Sequence, residues 1–494
     1  MKILSARDVL FIGFTCLYLF LVIQQDLYPF IDLPNHLAEV AVYQNQNVFK
    51  DFYIVSDALA PNSFHYYFCS LFDNVSTGNK VYYGFYVMFF LTISYFIIKQ
   101  VNGNRWFVFL PFLVLFSYSV TFGFTGFTLG IPFVLLIYYM LRIQGLWAKL
   151  VIMVTLVLLF YAHLLCLLFA LFLIGVYTCI MVFTQKIKKL KLLIGHAWPV
   201  IPSLLLVIVW QASSAALQTE ESTSQFMVRY YTTDYLPQFY QRAKLLVYEN
   251  FVLQEGYRGV LIALFFSGTI IAPWLICLSR KTFFKNVFAF FVQYPGEAAF
   301  LLVSFFCCFF LPSELPGQGI LYQRFSVFMM LGVIFTGSIN HRNSTSMKVV
   351  WILPVVVLIH FLLWWNYFTA FDKENEKFTP QFLSVVPDGK PMGGVMVNEN
   401  YRGRPVYIHF PSYRIVWNKQ IATTKFIDYR FGSIRRTASF DLLPEYQEWL
   451  GEKKRIPERY RSLPYLLLRG LPDNIPDHAR EIATAGTWKI YRMN

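Results

Sequence analysis

The sequence predicts a polytopic α-helical membrane protein of about eleven transmembrane helices, followed by an extracytoplasmic α+β domain. Three observations indicate this fold class. Of the 494 residues, 56% are hydrophobic and only 14% are charged, whereas a soluble domain carries about 25% charged residues. Apolar runs long enough to span a bilayer recur as far as Tyr367. Charged residues become frequent only after Phe371. Together these observations exclude a soluble enzyme and a disordered chain.

The apolar runs define a membrane-embedded part, which we predict to cover residues 1–367. A spanning helix needs roughly 20 mostly apolar residues. The predicted helices are 8–25, 81–98, 106–121, 126–141, 150–162, 164–184, 197–216, 259–278, 297–311, 325–339 and 349–367. The uncharged stretch 150–184 is too long for one helix, so we predict a helical hairpin that turns near His163.

The distribution of charge predicts the orientation of these helices. Lys and Arg favour cytoplasmic loops, and alternate loops from the N-terminus onward carry Lys and Arg with Asp8 as their only acid. The first intervening loop, residues 26–80, is instead rich in carboxylates. We therefore expect a cytoplasmic N-terminus. No small-residue cleavage site follows the first apolar run, so we expect residues 8–25 to be a retained helix. Eleven crossings then place the tail on the outer face, and most of the net charge of +14 is a topology signal.

The tail, residues 371–494, is predicted to fold as a separate domain. Its short alternating runs at 405–410 and 413–417 are typical of strands, and about 120 residues are enough for a core. Residues 402–436 carry many Lys and Arg residues, Arg414 among them. This stretch predicts a basic surface that faces solvent or anionic lipid headgroups. Nucleic acid is not expected as a partner on that side of the membrane.

The first outer loop, 26–80, contains the most informative motif, Asp32-Leu-Pro-Asn-His36-Leu-Ala-Glu39. Pro34 suits the first turn of a helix, and Asp32 would stand at its N-cap. On that helix His36 and Glu39 project from one side, together with Tyr43. A capping residue on an amphipathic helix at the membrane surface explains the motif structurally. A catalytic acid at the bilayer edge explains it equally well.

The predicted architecture resembles that of the GT-C superfamily of integral-membrane glycosyltransferases. It consists of a short N-terminal tail, one helix, a long outer loop that opens with an acid, about ten further helices and an outer domain. The motif at Asp32 carries the local likeness. The resemblance implies transfer of a sugar from a polyprenyl-phosphate-linked donor to a lipid or glycan acceptor, with inversion and with Asp32 as general base. We accordingly expect a cell-envelope enzyme of polysaccharide biosynthesis in a bacterial inner membrane.

Further residues are predicted to bind the substrate. Arg324 ends the outer loop 312–324, where its charge would stabilise a leaving phosphate. His163, at the outer turn of the hairpin, would hydrogen-bond the same phosphate. Tyr322, His36 and Glu39 are also predicted to bind the substrate. Purely structural roles are the alternative. Arg324 would then be an interfacial Arg that extends its charge toward the aqueous phase, and His163 would be a buried structural His.

A divalent metal is an alternative that the sequence leaves open. Asp32, His36 and Glu39 have ligand spacing on one helical face, and a divalent ion would neutralise a pyrophosphate leaving group. All three residues come from one helix, however, and no second segment supplies an identifiable ligand. The metal therefore ranks below a metal-free site in this prediction.

A transporter or flippase of lipid-linked glycans is the alternative function. Such proteins often show paired halves and charged or broken helices at the membrane midplane. The predicted helices are instead nearly free of ionisable groups, with Glu297 near one end. We therefore favour the enzyme. A scaffold that only presents the tail would need fewer helices.

Overall fold

The computed structural model describes residues 5–55, 59–184, 189–214, 235–278, 287–314, 319–340, 352–424, 434–437 and 455–493. The chain divides into two compact units. The first unit comprises Met1–Leu21, Gly84–Val120 and Gly126–Leu363. The second unit comprises Val22–Tyr83, Thr121–Thr125 and Trp364–Asn494. Residues 217–234 of the outer loop expected between the predicted helices 197–216 and 259–278 lie outside the described residues.

The first unit contains helices and no strand within the ranges that the structure describes. The α-helices that belong to it wholly or in part are Ala6–Ile23, Val75–Gln100, Tyr118–Phe122, Thr125–Met140, Leu146–Ala162, Leu164–Thr184, Lys189–Ala197, Ile201–Ser214, Tyr235–Lys244, Gly256–Leu278, Val287–Gln293, Pro295–Phe310, Leu321–Arg324, Ser326–Asn340 and Leu353–Asn375. Arg105–Val114 and Trp198–Val200 are 3-10 helices, and Leu245–Glu249 is a π-helical turn.

Each of the eleven predicted apolar runs falls on one of these helical segments, which confirms the polytopic helical fold class. Within the part of the chain that the structure describes, seven helical segments are long and apolar enough to cross a membrane by length and composition. The run 106–121 departs from a regular α-helix. Its first part forms the 3-10 helix Arg105–Val114, which contains Pro111, and the short α-helix Tyr118–Phe122 follows. A proline within a helix removes a backbone hydrogen-bond donor.

The helical hairpin predicted within 150–184 is also confirmed. One helix ends at Ala162, His163 is extended, and the next helix begins at Leu164. The helix Thr125–Met140 packs closely on this turn. A Cβ at Gly126 would lie 2.2 Å from the Ala162 carbonyl oxygen. A Cβ at Gly130 would lie 2.6 Å from Cys166 Sγ. Small residues therefore permit close contact between these helices.

The second unit combines short helices with two sheets, as the α+β prediction requires. Its short α-helices are Leu33–Gln44, Gln46–Phe49, Phe64–Cys69, Pro380–Leu383 and Tyr413–Asn418, and Val406–Ser412 and Glu458–Tyr460 are 3-10 helices. Its strands are β1 (Tyr53–Val55), β2 (Met392–Met396), β3 (Ile434–Arg436), β4 (Tyr465–Arg469), β5 (Arg480–Ala485) and β6 (Trp488–Arg492).

The larger sheet has the strand order β2-β4-β6-β5. Strand β2 runs parallel to β4 with Gly394 opposite Leu467, and the other pairs are antiparallel. Trp488 on β6 is fully buried, with its ring 4.6 Å from that of Phe378 and 5.1 Å from that of Phe410. This aromatic cluster forms the core of the unit, because each large ring removes much apolar surface from water.

The first outer loop and the tail belong to one unit. Strand β1 comes from the loop and pairs with β3 from the tail, with Tyr53 opposite Arg436 and Val55 opposite Ile434. The helix Leu33–Gln44 packs against Tyr413–Asn418 and Val406–Ser412. Chain segments more than 300 positions apart in the printed sequence therefore share one hydrophobic core.

The prediction of strands at 405–410 and 413–417 is wrong. Val406–Ser412 is a 3-10 helix and Tyr413–Asn418 is an α-helix. Short apolar runs do not distinguish a strand from a helix that is buried on several sides. Pro411 also cannot donate to a sheet ladder.

Two expectations about exposed surfaces are wrong as well. The helix that follows Asp32 does not present Leu37 and Val40 to a membrane surface, because both are buried within the second unit. Arg414 is buried and donates hydrogen bonds to the carbonyls of Leu383 and Pro387 at 3.0 and 3.1 Å. Burial lowers the pKa of Arg414 to about 10. Two other cations of the expected basic surface, at positions 425 and 430, lie outside the described residues.

Candidate active site

Asp32 stands at the N-cap of the helix Leu33–Gln44, but its carboxylate does not cap that helix. Its main-chain oxygen accepts hydrogen bonds from the N–H groups of Asn35 and His36 at 3.1 and 3.3 Å. The carboxylate oxygen Oδ1 lies instead 3.2 Å from Nε2 of His409. The capping interpretation therefore holds for the backbone position of Asp32 and fails for its side chain.

His409 lies in the 3-10 helix Val406–Ser412 and is almost completely buried. The Asp32 side chain keeps 9% of its surface exposed, so it remains within reach of a ligand. A fully buried imidazole 3.2 Å from the carboxylate restricts the positions that the Asp32 side chain can take. Sequence reasoning missed His409, because a single His in a short apolar run between two prolines carries no local signal.

A tight turn of the chain holds the backbone at Asp32. The Asp32 N–H donates to the Phe122 carbonyl at 2.8 Å, and the Ile31 N–H donates to the Thr121 carbonyl at 3.4 Å. Gly123 follows with φ +90°, a conformation that residues with side chains rarely adopt. A Cβ there would lie 2.9 Å from the Asp32 nitrogen. Only glycine therefore allows the turn to approach Asp32 this closely.

Asn35 joins the start of the same helix to the tail. Its side-chain oxygen accepts hydrogen bonds from Ser412 Oγ and Thr424 Oγ1, each at 2.8 Å, and the residue is fully buried. Because buried hydrogen bonds are geometrically restrictive, these two bonds fix the position of the helix start. Asn35 thus supports Asp32 from within the fold.

His36 and Glu39 form a second pair on this helix. His36 Nδ1 lies 3.0 Å from Glu39 Oε2, with the carboxylate buried and the imidazole half-buried. The ring of buried His65 lies 6.2 Å from that of His36. Burial, and then the neighbouring His36, lower the pKa of His65 to about 3. His65 is therefore neutral at physiological pH.

The metal alternative finds no ligand cluster in the described ranges. Across them, no group of three or more His, Cys, Asp and Glu side chains is placed to hold one ion. The nearby partner of Asp32 is His409, and His36 turns toward Glu39. The three residues of the predicted ligand set thus take part in two separate pairs.

His163 and Arg324, two of the predicted substrate-binding residues, meet in the first unit. Arg324 Nη1 lies 2.9 Å from His163 Nε2. The guanidinium also donates to the carbonyls of Ile320 and Gly319 at 3.0 and 3.4 Å. The sequence predicted both residues, and the structure places them side by side.

The segment that carries Arg324 has an unusual backbone. Ile320 has φ +59°, which is rare for a β-branched residue. Such conformations persist where the surrounding structure enforces them, and they cluster at functional sites. Tyr322 in the same short helix is buried, and the Arg242 guanidinium carbon lies 4.0 Å from its ring centre. Arg242 is itself fully buried and donates to the carbonyls of Cys308 and Leu311.

The arrangement of the whole chain is similar to that of solved membrane-protein structures. ArnT from Cupriavidus metallidurans in the apo state superposes with a TM-score of 0.54 at 11% identity, over 98% of this chain and 97% of that one. ArnT from the same organism bound to undecaprenyl phosphate gives 0.53 at 10% identity, over 99% of each chain. No protein-family model matches the sequence, and no curated protein matches it significantly. The chain therefore has an ArnT-like fold, which agrees with the predicted fold class of a polytopic helical membrane protein with a small C-terminal sheet domain.

Proposed function

We propose that this protein is a membrane glycosyltransferase that moves a sugar from a polyprenyl-phosphate-linked donor to a lipid or glycan acceptor at the outer face. The observation that carries the proposal is the Asp32 carboxylate, which leaves its helix uncapped and lies 3.2 Å from His409. The ArnT-like fold supports it, because one structure of that fold is bound to undecaprenyl phosphate.

Asp32 acts as the general base in this proposal. It takes the proton of an acceptor hydroxyl while that oxygen attacks C1 of the donor sugar, and the bond from C1 to the phosphate oxygen breaks. The bonding electrons leave with the polyprenyl phosphate. A single displacement of this kind inverts the configuration at C1. A positioned base accelerates such a step about 10²- to 10⁴-fold.

Arg324 and His163 stabilise the leaving phosphate. Negative charge grows on the phosphate oxygens as the bond to C1 breaks, and a preorganised cation stabilises it most in a water-poor site. An Arg fork matches phosphate geometry, and His163 holds the guanidinium from one side at 2.9 Å. We assign Tyr322 to the residues that bind this phosphate, because it lies with Arg324 in the short helix Leu321–Arg324.

His36 and Glu39 bind the transferred sugar in this proposal. Both stand on the helix that Asp32 begins, within two turns of the base. The half-exposed imidazole and the buried carboxylate offer a donor and an acceptor to sugar hydroxyls. They orient the donor and take no part in proton transfer.

His409 is a positioning residue for Asp32, and we predict a graded response to its replacement. His409→Gln keeps an N–H near the carboxylate and is expected to lower kcat about fivefold. His409→Leu removes it and is expected to lower kcat about 100-fold, since a base misplaced by about 1 Å costs this much. The KM for the donor should stay unchanged in both variants, as measured by initial rates at varied donor concentration. Equal losses in both variants, matched by equal losses in Tm, would leave His409 with a structural role only.

The proposed topology has a cytoplasmic N-terminus and an extracytoplasmic tail in a bacterial inner membrane. We expect a cysteine introduced at the exposed position Asp477 to react with an impermeant maleimide on intact spheroplasts. A cysteine at Arg105, in a predicted cytoplasmic loop, should react only after permeabilisation. The reverse labelling pattern would overturn this orientation.

A further inference from the structure

A polar cleft of about 750 Å³ lies in the second unit, apart from Asp32. This volume falls within the range of about 300–1,000 Å³ that is usual for ligand sites. Its wall combines residues of the first outer loop with residues of the tail, among them Tyr43, Ser70, Asp73, Trp417 and Lys419. The reaction proposed above uses none of these residues, so it assigns no function to the cleft.

The chemistry of the wall suits a carbohydrate. Trp417 is half-buried and stacks at 4.6 Å on Tyr413, which holds its ring in place at the edge of the cleft. Sugar rings present apolar C–H faces that pack on aromatic rings, and their hydroxyls both donate and accept hydrogen bonds. Asp73 accepts, Lys419 donates and Ser70 does both. A wall that carries both an acidic and a basic side chain fits neither a purely apolar ligand nor a polyanion.

The helix Leu33–Gln44 connects the cleft to the base. Asp32 precedes its first residue, and its last residue, Gln44, lines the cleft. The 12 residues of this helix span about 18 Å at about 1.5 Å per residue. Gln44 Nε2 donates to the Phe72 carbonyl at 2.7 Å, which fixes this wall of the cleft. A ligand in the cleft is therefore held at a defined distance from Asp32.

We propose that the cleft is an acceptor subsite that binds an oligosaccharide, so that the acceptor of the reaction is a glycan of several sugar units. The cleft holds inner units of the glycan while its terminal hydroxyl reaches Asp32. This inference rests on the proposed function and narrows its acceptor class. A lipid acceptor with a single sugar would be too short to occupy both places.

Binding of oligosaccharides to the full-length protein in nanodiscs tests this inference. The probes are neutral oligosaccharides of increasing length on an array. We expect the wild type to retain some of the longer ones. Asp73→Asn should weaken this binding about tenfold, because it removes a charged hydrogen-bond acceptor. Trp417→Leu should weaken it by a similar factor. Asp51→Asn, an exposed acid of the same loop outside the cleft, should have no effect.

Three outcomes would overturn the subsite. The first is that the wild type binds no oligosaccharide, and the second is that Asp73→Asn binds as the wild type does. The third is that the protein transfers sugar normally to a single-sugar lipid acceptor and that Asp73→Asn does not change this rate. Because Asp73 is exposed, its replacement by Asn keeps the test valid if Trp417→Leu fails to fold. Asp32→Asn should bind the oligosaccharides normally and transfer nothing. Absence of oligosaccharide binding by the wild type refutes the subsite and leaves the proposed function standing, whereas retained transfer by Asp32→Asn refutes the proposed function.

Discussion

Asp32→Asn is expected to lower kcat for sugar transfer about 1,000-fold, because an amide cannot accept the proton of the attacking hydroxyl. The Asn side chain has nearly the same shape and can still lie beside His409, so the Tm should change little. The measurement is transfer of a labelled sugar from a polyprenyl-phosphate-linked donor by purified protein. Donor binding should persist in the variant, since a base contributes mainly to the chemical step.

The matched control is Asp26→Asn, the same substitution in the same loop. The Asp26 carboxylate is 90% exposed and pairs with Lys80 at 2.7 Å, and exposed ion pairs contribute little to stability. We expect this variant to retain wild-type turnover. Transfer at the wild-type rate by Asp32→Asn would remove Asp32 from the role of base.

Arg324→Gln is expected to raise the KM for the donor about 10- to 100-fold. A hydrogen bond to a charged group contributes about 1.5–3 kcal/mol, and the neutral amide keeps only a weak contact with phosphate. Arg324→Lys should retain part of the affinity, because it keeps the charge and loses the fork. Inhibition by polyprenyl phosphate, the released product, should weaken in parallel with the KM effect.

Arg258→Gln is the control for Arg324, since Arg258 is an exposed Arg at the start of the helix Gly256–Leu278. It should leave both the KM and the inhibition unchanged. If Arg324→Gln folds normally and is inhibited by polyprenyl phosphate as strongly as the wild type, Arg324 does not bind the phosphate.

The helical part of the fold could be predicted because spanning helices follow from local composition. A run such as 164–184 needs no distant partner, and the helix Leu164–Thr184 matches it. The N-cap position of Asp32 could be predicted for a similar reason, since an acid shortly before Pro34 indicates a helix start. The pairing of His163 with Arg324 could be anticipated only as a shared role, because no local pattern encodes a contact between two helices.

The tail could not be predicted in the same way. The 3-10 helix Val406–Ser412 has the composition of a strand, and its shape depends on burial from several sides. His409 becomes significant only beside Asp32, and Arg414 is buried only because the carbonyls of Leu383 and Pro387 converge on it. Each of these facts is a property of tertiary packing, which one sequence expresses only through distant residues.

The union of the first outer loop with the tail has a consequence for biosynthesis. Asn35 and Ser412 are 377 positions apart, so a ribosome at about 5–20 residues/s needs roughly 20–75 s to make the second after the first. Through that interval the loop has neither the strand that pairs with β1 nor His409, the proposed positioning residue for Asp32. We therefore expect a nascent or truncated chain to lack transferase activity, and we expect activity to begin only after the tail has been synthesised and has folded together with the first loop.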